Sequence, residues 1–152
     1  MPDYLFDSSA LAKNYHAELG TPEVERILRE PGSRFFISRL TVIEMQSVFA
    51  GKVRTGTIAA PEFQSLRRRF LTDVSRRRLL IVRMTGLHYQ VAERLIRIHG
   101  ATLRLRTLDA TQLSVALELH ERGLLDHFVC ADRGFIPAAI AEGLSVINPE
   151  AP

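Results

Sequence analysis

The chain has 152 residues, of which 46% are hydrophobic and 24% charged, so we expect one folded domain over residues 1–150 rather than a disordered chain. Its longest strongly apolar run, residues 79–82, is far shorter than the ~20 residues that span a membrane, and the first three residues do not resemble a signal peptide. A single cysteine, Cys130, excludes an internal disulfide and suits a reducing, cytoplasmic location.

The net charge of +3 is small, but its makeup is skewed towards arginine. Only Lys13 and Lys52 are lysines, and the other eighteen of the twenty basic residues are arginines. The planar guanidinium binds phosphate through two parallel hydrogen bonds, which suits a nucleic-acid partner. A genome rich in G and C would also favour arginine codons, so the charge alone leaves both explanations open.

Short apolar runs alternate with longer helical segments, a pattern typical of an α/β protein with a mostly parallel sheet. The sequence predicts strands at residues 4–7, 34–38, 79–83, 127–131 and 144–147. It predicts helices that begin at Thr21 and at Pro61, and further helices at 40–54, 87–99, 107–122 and 135–142. Thr21 is expected to cap its helix, with Pro22 at the first helical position and the end near residues 31–32.

Two acids follow predicted strands directly. Asp7 ends the first strand, and Asp132 ends the strand at 127–131. Ligands of open parallel sheets bind just outside the carboxyl ends of the strands. Each acid also has a structural interpretation, Asp7 as a helix cap and Asp132 as a turn residue.

Two further acids fall on helix faces that should point into the core. Asp109 shares its face with Leu113, and Glu44 shares its face with Val48, each four residues further along. A capping box that starts at Thr41 would give Glu44 a structural role instead.

Four acids that converge at one edge of a sheet would indicate a metal site. A buried carboxylate is costly unless it is paired, protonated or bound to a cation. Oxygen ligands select Mg²⁺ or Mn²⁺. Such an ion, or a pair, can activate water and stabilise both oxygens of a phosphoryl displacement, so the chemistry needs no histidine or cysteine.

The four acids lie in the stretches FDSSAL at 6–11, SRLTVIE at 38–44, LDATQL at 108–113 and VCADRGF at 129–135. Together these stretches resemble the PIN-domain family, and in particular the VapC-like toxins of toxin–antitoxin pairs. Each motif is weak alone, but the four stand in the family's order across nearly the whole chain.

The resemblance implies a three-layer α/β/α sandwich, metal-dependent cleavage of RNA with Mg²⁺ or Mn²⁺, a homodimer, and a cognate antitoxin in the active-site groove. The residues that it assigns as catalytic and metal-binding are Asp7, Glu44, Asp109 and Asp132. Ser9 is implied as an assisting polar neighbour, and Arg133 is a candidate contact to substrate phosphate or a surface ion pair. Cys130 departs from the family's pattern, in which a small hydroxyl residue is common.

Two arginine triplets, at 67–69 and 76–78, either grip RNA phosphates or form a solvated surface that meets an acidic partner. The five histidines show no metal-ligand spacing.

Other protein classes fit the sequence less well. An aspartyl-phosphate phosphatase needs a second acid where Ser9 stands, and a metal-dependent adhesion site needs a serine where Leu11 stands. Two alternatives remain within the family: an RNA-processing nuclease without an antitoxin, and a non-catalytic scaffold that binds RNA or protein.

Overall fold

The computed structural model describes residues 1–152 and contains five strands and seven α-helices. The strands are β1 (Asp3–Phe6), β2 (Arg34–Ser38), β3 (Leu80–Val82), β4 (His127–Val129) and β5 (Val146–Ile147). The helices are α1 (Ser8–Leu11), α2 (Thr21–Leu28), α3 (Arg39–Arg54), α4 (Ala60–Ser75), α5 (Gly86–Leu103), α6 (Thr107–Glu121) and α7 (Ile136–Ala141). None of these helices is long and apolar enough to cross a membrane.

The five strands form one parallel sheet in the order β3-β2-β1-β4-β5. The central strand is β1, in which Leu5 lies opposite Phe36 of β2 and Phe128 of β4. Strands β2 and β3 follow on one side of β1, and the chain then crosses to the other side, where β4 and β5 lie. This reversal opens a crevice at the carboxyl end of β1, which is where open α/β sheets bind their ligands.

Helices cover both faces of the sheet because side chains of a strand alternate between the faces. Phe6 and Ile37 belong to an apolar core shared with helices α1 to α4. Leu5, Phe36 and Phe128 belong to a second core shared with helices α5 to α7. The predicted α/β/α sandwich is therefore confirmed, and its sheet is entirely parallel.

The predicted elements are all present, with shifts at their ends. Thr21 does not cap α2: Gly20 holds the cap position in a left-handed conformation (φ 89°), and the Thr21 hydroxyl donates to the Lys13 carbonyl instead. Helix α2 also ends at Leu28, before the predicted stop. Strand β4 ends at Val129, so two residues separate it from the acid at 132.

Candidate active site

Asp7 lies at the carboxyl end of the central strand, between the two halves of the sheet. Its carboxylate caps α1 by accepting the Ser9 N–H (3.1 Å), and it also accepts the Ser9 hydroxyl (2.5 Å). The residue is 5% exposed and makes no ion pair. The capping interpretation is confirmed, but hydrogen bonds from Ser9 and a weak one from the Cys130 thiol leave this buried carboxylate without a cation.

Glu44 lies on α3 and is joined to α6 through a buried amide. Gln112 Nε2 donates to Glu44 Oε1 (2.8 Å) and to the Thr41 hydroxyl (2.7 Å), while the Ser38 hydroxyl donates to Gln112 Oε1. The α3 cap is Ser38, which accepts the Thr41 N–H. The capping box proposed for Glu44 is therefore wrong, because the helix cap lies three residues before Thr41 and Glu44 accepts a hydrogen bond from Gln112.

Asp109 and Asp132 are connected by one arginine. Arg106 Nε donates to Asp109 (2.9 Å) and its Nη2 donates to Asp132 (2.5 Å). Asp109 lies in the first turn of α6 and is buried, whereas Asp132 is half-buried in the loop after β4. Asp132 also accepts the Gly134 N–H (2.8 Å), which is the turn role expected from the sequence.

The four carboxylates influence one another although no two of them are hydrogen-bonded. Burial raises the pKa of Asp7, and the negative charges of Asp109 and Asp132 raise it further, against the hydrogen bonds from Ser9. Burial raises the pKa of Glu44 to about 7, and the charge of Asp7 adds to this effect. The site is therefore short of positive charge, which Arg106 supplies only in part.

The chemistry of these side chains fits a hard divalent cation. All four are oxygen donors, and the buried carboxylate of Asp7 needs either a proton or a positive partner. As the side chains are placed, no three His, Cys, Asp or Glu residues lie close enough together to hold a metal ion. Arg106 pairs with both Asp109 and Asp132 and so holds these two carboxylates near each other.

The remaining site residues differ in their surroundings. Ser9 is half-buried, and its hydroxyl also accepts the Ala131 N–H (3.0 Å), so it fixes Asp7 against the loop after β4. Cys130 is buried with its Sγ 3.8 Å from Asp7 Oδ2, and burial raises the pKa of its thiol well above the usual range. Arg133 is exposed and forms no ion pair.

The sequence matches one family over most of its length, the PIN domain, at residues 4–140. The chain belongs to the PIN-domain family. PIN domains are nucleases, so the family places the chain among hydrolases. Comparison with curated proteins gives no significant match.

Solved structures share this PIN fold from end to end. A toxin–antitoxin complex from Klebsiella pneumoniae superposes with a TM-score of 0.63 at 19% identity, covering 98% of this chain and 99% of the other. FitAcB from Neisseria gonorrhoeae gives 0.64 at 16% identity, with coverages of 96% and 97%. VapBC2 from Rickettsia felis, bound to a promoter DNA fragment, gives 0.62 at 17% identity, with coverages of 96% and 98%.

Two residues that contact the candidate acids were not predicted from the sequence, although each has a recognisable local pattern. Gln112 is a fully buried amide within the most buried helix of the chain. Arg106 precedes Asp109 by three residues at a helix start, a spacing that favours an ion pair. Its second contact, to Asp132, depends on the tertiary fold and has no local signal.

Proposed function

We propose that this PIN domain is a single nuclease domain over residues 1–150 that hydrolyses RNA with Mg²⁺ or Mn²⁺. The observation that carries the proposal is Asp7, a buried carboxylate without a cation at the carboxyl end of β1. Three further acids raise the negative charge around it. A structural cap alone would not require this accumulation of charge at a sheet crevice.

The proposed metal ligands are Asp7, Glu44, Asp109 and Asp132. A bound divalent ion would supply an activated water and stabilise the charge on the reacting phosphate. Ser9 fixes the direction of the Asp7 carboxylate, and Gln112 does the same for Glu44. Arg133, exposed beside Asp132, would contact a substrate phosphate.

The proposed biological role is that of the toxin in a toxin–antitoxin pair. Its partners would be RNA, a cognate antitoxin that covers the acidic site, and a second copy of the chain. The similar structures named above, which include a toxin–antitoxin complex, support this role over that of an antitoxin-free RNA-processing enzyme. Co-expression with the product of the adjacent gene should relieve growth arrest caused by the toxin, and Asp7→Asn should relieve it without that product.

The activity is tested directly by cleavage of single-stranded RNA by the purified protein. We expect cleavage with Mg²⁺ or Mn²⁺, none in excess EDTA, and no effect of a zinc-selective chelator, because the proposed ligands are all oxygens. Cleavage that continues unchanged in EDTA would overturn the metal mechanism.

Arg106→Gln is expected to increase the response of the melting temperature to magnesium. Without metal, the buried Asp109 loses its guanidinium partner, and we expect a loss of about 1 kcal/mol because the arginine is largely exposed. With Mg²⁺ present, the ion no longer competes with the Arg106 guanidinium for Asp109 and Asp132, so it should raise the melting temperature more. Thermal unfolding with and without Mg²⁺ measures both effects.

Arg122→Gln is the control for Arg106→Gln, since it removes an exposed arginine that pairs with Glu118, four residues earlier in the chain. An equal magnesium response in Arg106→Gln and the parent protein would show that the arginine and the ion do not share the same carboxylates.

A further inference from the structure

The positive charge of the chain is concentrated in one segment. Residues 60–78 contain six arginines and two acids, whereas the rest of the chain has fourteen basic and fifteen acidic residues. The net charge of the whole protein therefore comes from α4 and the turn that follows it.

This segment forms part of a polar pocket with α2, which we name the arginine pocket. Its charged side chains are Arg29, Arg68, Arg69, Arg78, Glu25 and Asp73, and no apolar side chain lines it. Its volume of about 440 Å³ lies within the range of small-ligand sites, roughly 300–1,000 Å³. Neither α2 nor α4 carries a carboxylate of the candidate active site, so the pocket is a separate feature.

Two of the four guanidinium groups have no carboxylate partner. Arg29 pairs with Glu25 (3.1 Å) and Arg78 with Asp73 (3.5 Å). The Arg68 side chain makes no hydrogen bond or ion pair.

Arg69, the other unpaired arginine, is held in position by Tyr15. It donates to the Tyr15 carbonyl (3.3 Å), and its guanidinium lies 5.7 Å from the centre of the Tyr15 ring. A cation fixed by contacts that leave its charge uncompensated can bind an anion with little loss of conformational freedom.

We propose that the arginine pocket binds the phosphodiester backbone of RNA at a distance from the scissile bond. The proposal rests on the proposed ribonuclease function in one respect, the choice of RNA as the anion that the pocket binds. Phosphate contacts need charge and guanidinium donors, both of which the pocket has. An acidic protein partner would be expected to need apolar anchors as well, and the pocket lining has none.

The test compares two double variants in binding a fluorescent single-stranded RNA in EDTA, where the proposed cleavage is off. Arg29→Gln/Arg68→Gln removes one paired and one unpaired arginine from the pocket. Arg97→Gln/Arg122→Gln removes the same charge elsewhere, since Arg122 pairs with Glu118 four residues away and Arg97 has no ion pair. Arg69 and Arg78 stay unchanged, so the contacts to Tyr15 and Asp73 are kept.

We expect the pocket variant to bind RNA several-fold more weakly than the control variant. The slope of log K against log salt should fall by about 1.4, since each lost contact to a single strand accounts for roughly 0.7. Equal melting temperatures for the two variants would confirm that both are folded.

Equal affinities and salt slopes for the two double variants would overturn the proposal. Loss of binding to polyglutamate with RNA binding unchanged would overturn it as well, in favour of an acidic protein partner. A parent protein that binds RNA through the pocket but cleaves no RNA with any divalent ion would refute the ribonuclease function while the pocket assignment stands.

Discussion

Glu44→Gln is expected to lower RNA cleavage by at least about 100-fold without lowering stability. The glutamine keeps an oxygen that can accept the hydrogen bond from Gln112, so the contact between α3 and α6 survives. It removes a negative charge that the cation and the attacking water would both require. Single-turnover cleavage in Mg²⁺ and thermal unfolding in EDTA separate the two effects.

The Glu44→Gln experiment has two control variants. Glu121→Gln makes the same chemical change at the exposed end of α6 and should alter neither quantity. Ser38→Ala removes the side chain that caps α3 and should cost about 1 kcal/mol or more, since it also bonds Gln112. A Glu44→Gln protein that cleaves RNA like the parent would remove Glu44 from the site.

Asp7→Asn is expected to stabilise the metal-free protein and to reduce its response to magnesium. Asparagine caps a helix as well as aspartate does, so the bond from the Ser9 N–H is kept while the buried charge is lost. In the parent, Mg²⁺ should raise the melting temperature because it binds the folded state alone. A melting temperature of the parent that does not change with Mg²⁺ would argue against a site at Asp7.

The gain from Asp7→Asn should depend on pH in a defined direction. Folding raises the pKa of Asp7 and that of Glu44. At a pH between the unfolded and the folded pKa of either group, the folded protein therefore binds more protons than the unfolded chain. Stability in EDTA should therefore fall as the pH rises from about 4 towards 7. Urea unfolding at several pH values should show a shallower fall for Asp7→Asn than for the parent.

Asp109→Asn provides the contrast to Asp7→Asn. Repulsion among several acids would by itself make both changes stabilise the metal-free protein, since each removes one negative charge. The structure alters that expectation for Asp109, because its carboxylate is paired with Arg106 and asparagine would lose this ion pair. We expect Asp109→Asn to be neutral or destabilising in EDTA.

The fold was predictable because its signals are local. Strand β2 was placed at its true bounds, since its apolar run is set off by Gly32-Ser33 before it and a helix start after it. The burial of Asp109 was predictable as well, because this acid interrupts an apolar helix face. Local patterns of this kind give an element and its buried face directly.

What failed in the sequence analysis depended on contacts between distant segments. The assignment of Thr41 as a cap was locally reasonable, yet Ser38 takes that role and Thr41 is buried against Gln112 of α6. Whether Glu44 points to the helix end or to another helix is decided by this packing. The double contact of Arg106 likewise requires that the loop after β4 lie beside α6.

The position of β1 at the centre of the sheet has a consequence for protein synthesis. Asp7 is synthesised about 125 residues before Asp132, which follows β4 in the chain. At about 5–20 residues per second, the nascent chain spends on the order of ten seconds with Asp7 made and β4 missing. The proposed nuclease centre cannot assemble in that interval, so the nascent chain cannot cleave RNA through this centre until β4 and Asp132 have been made.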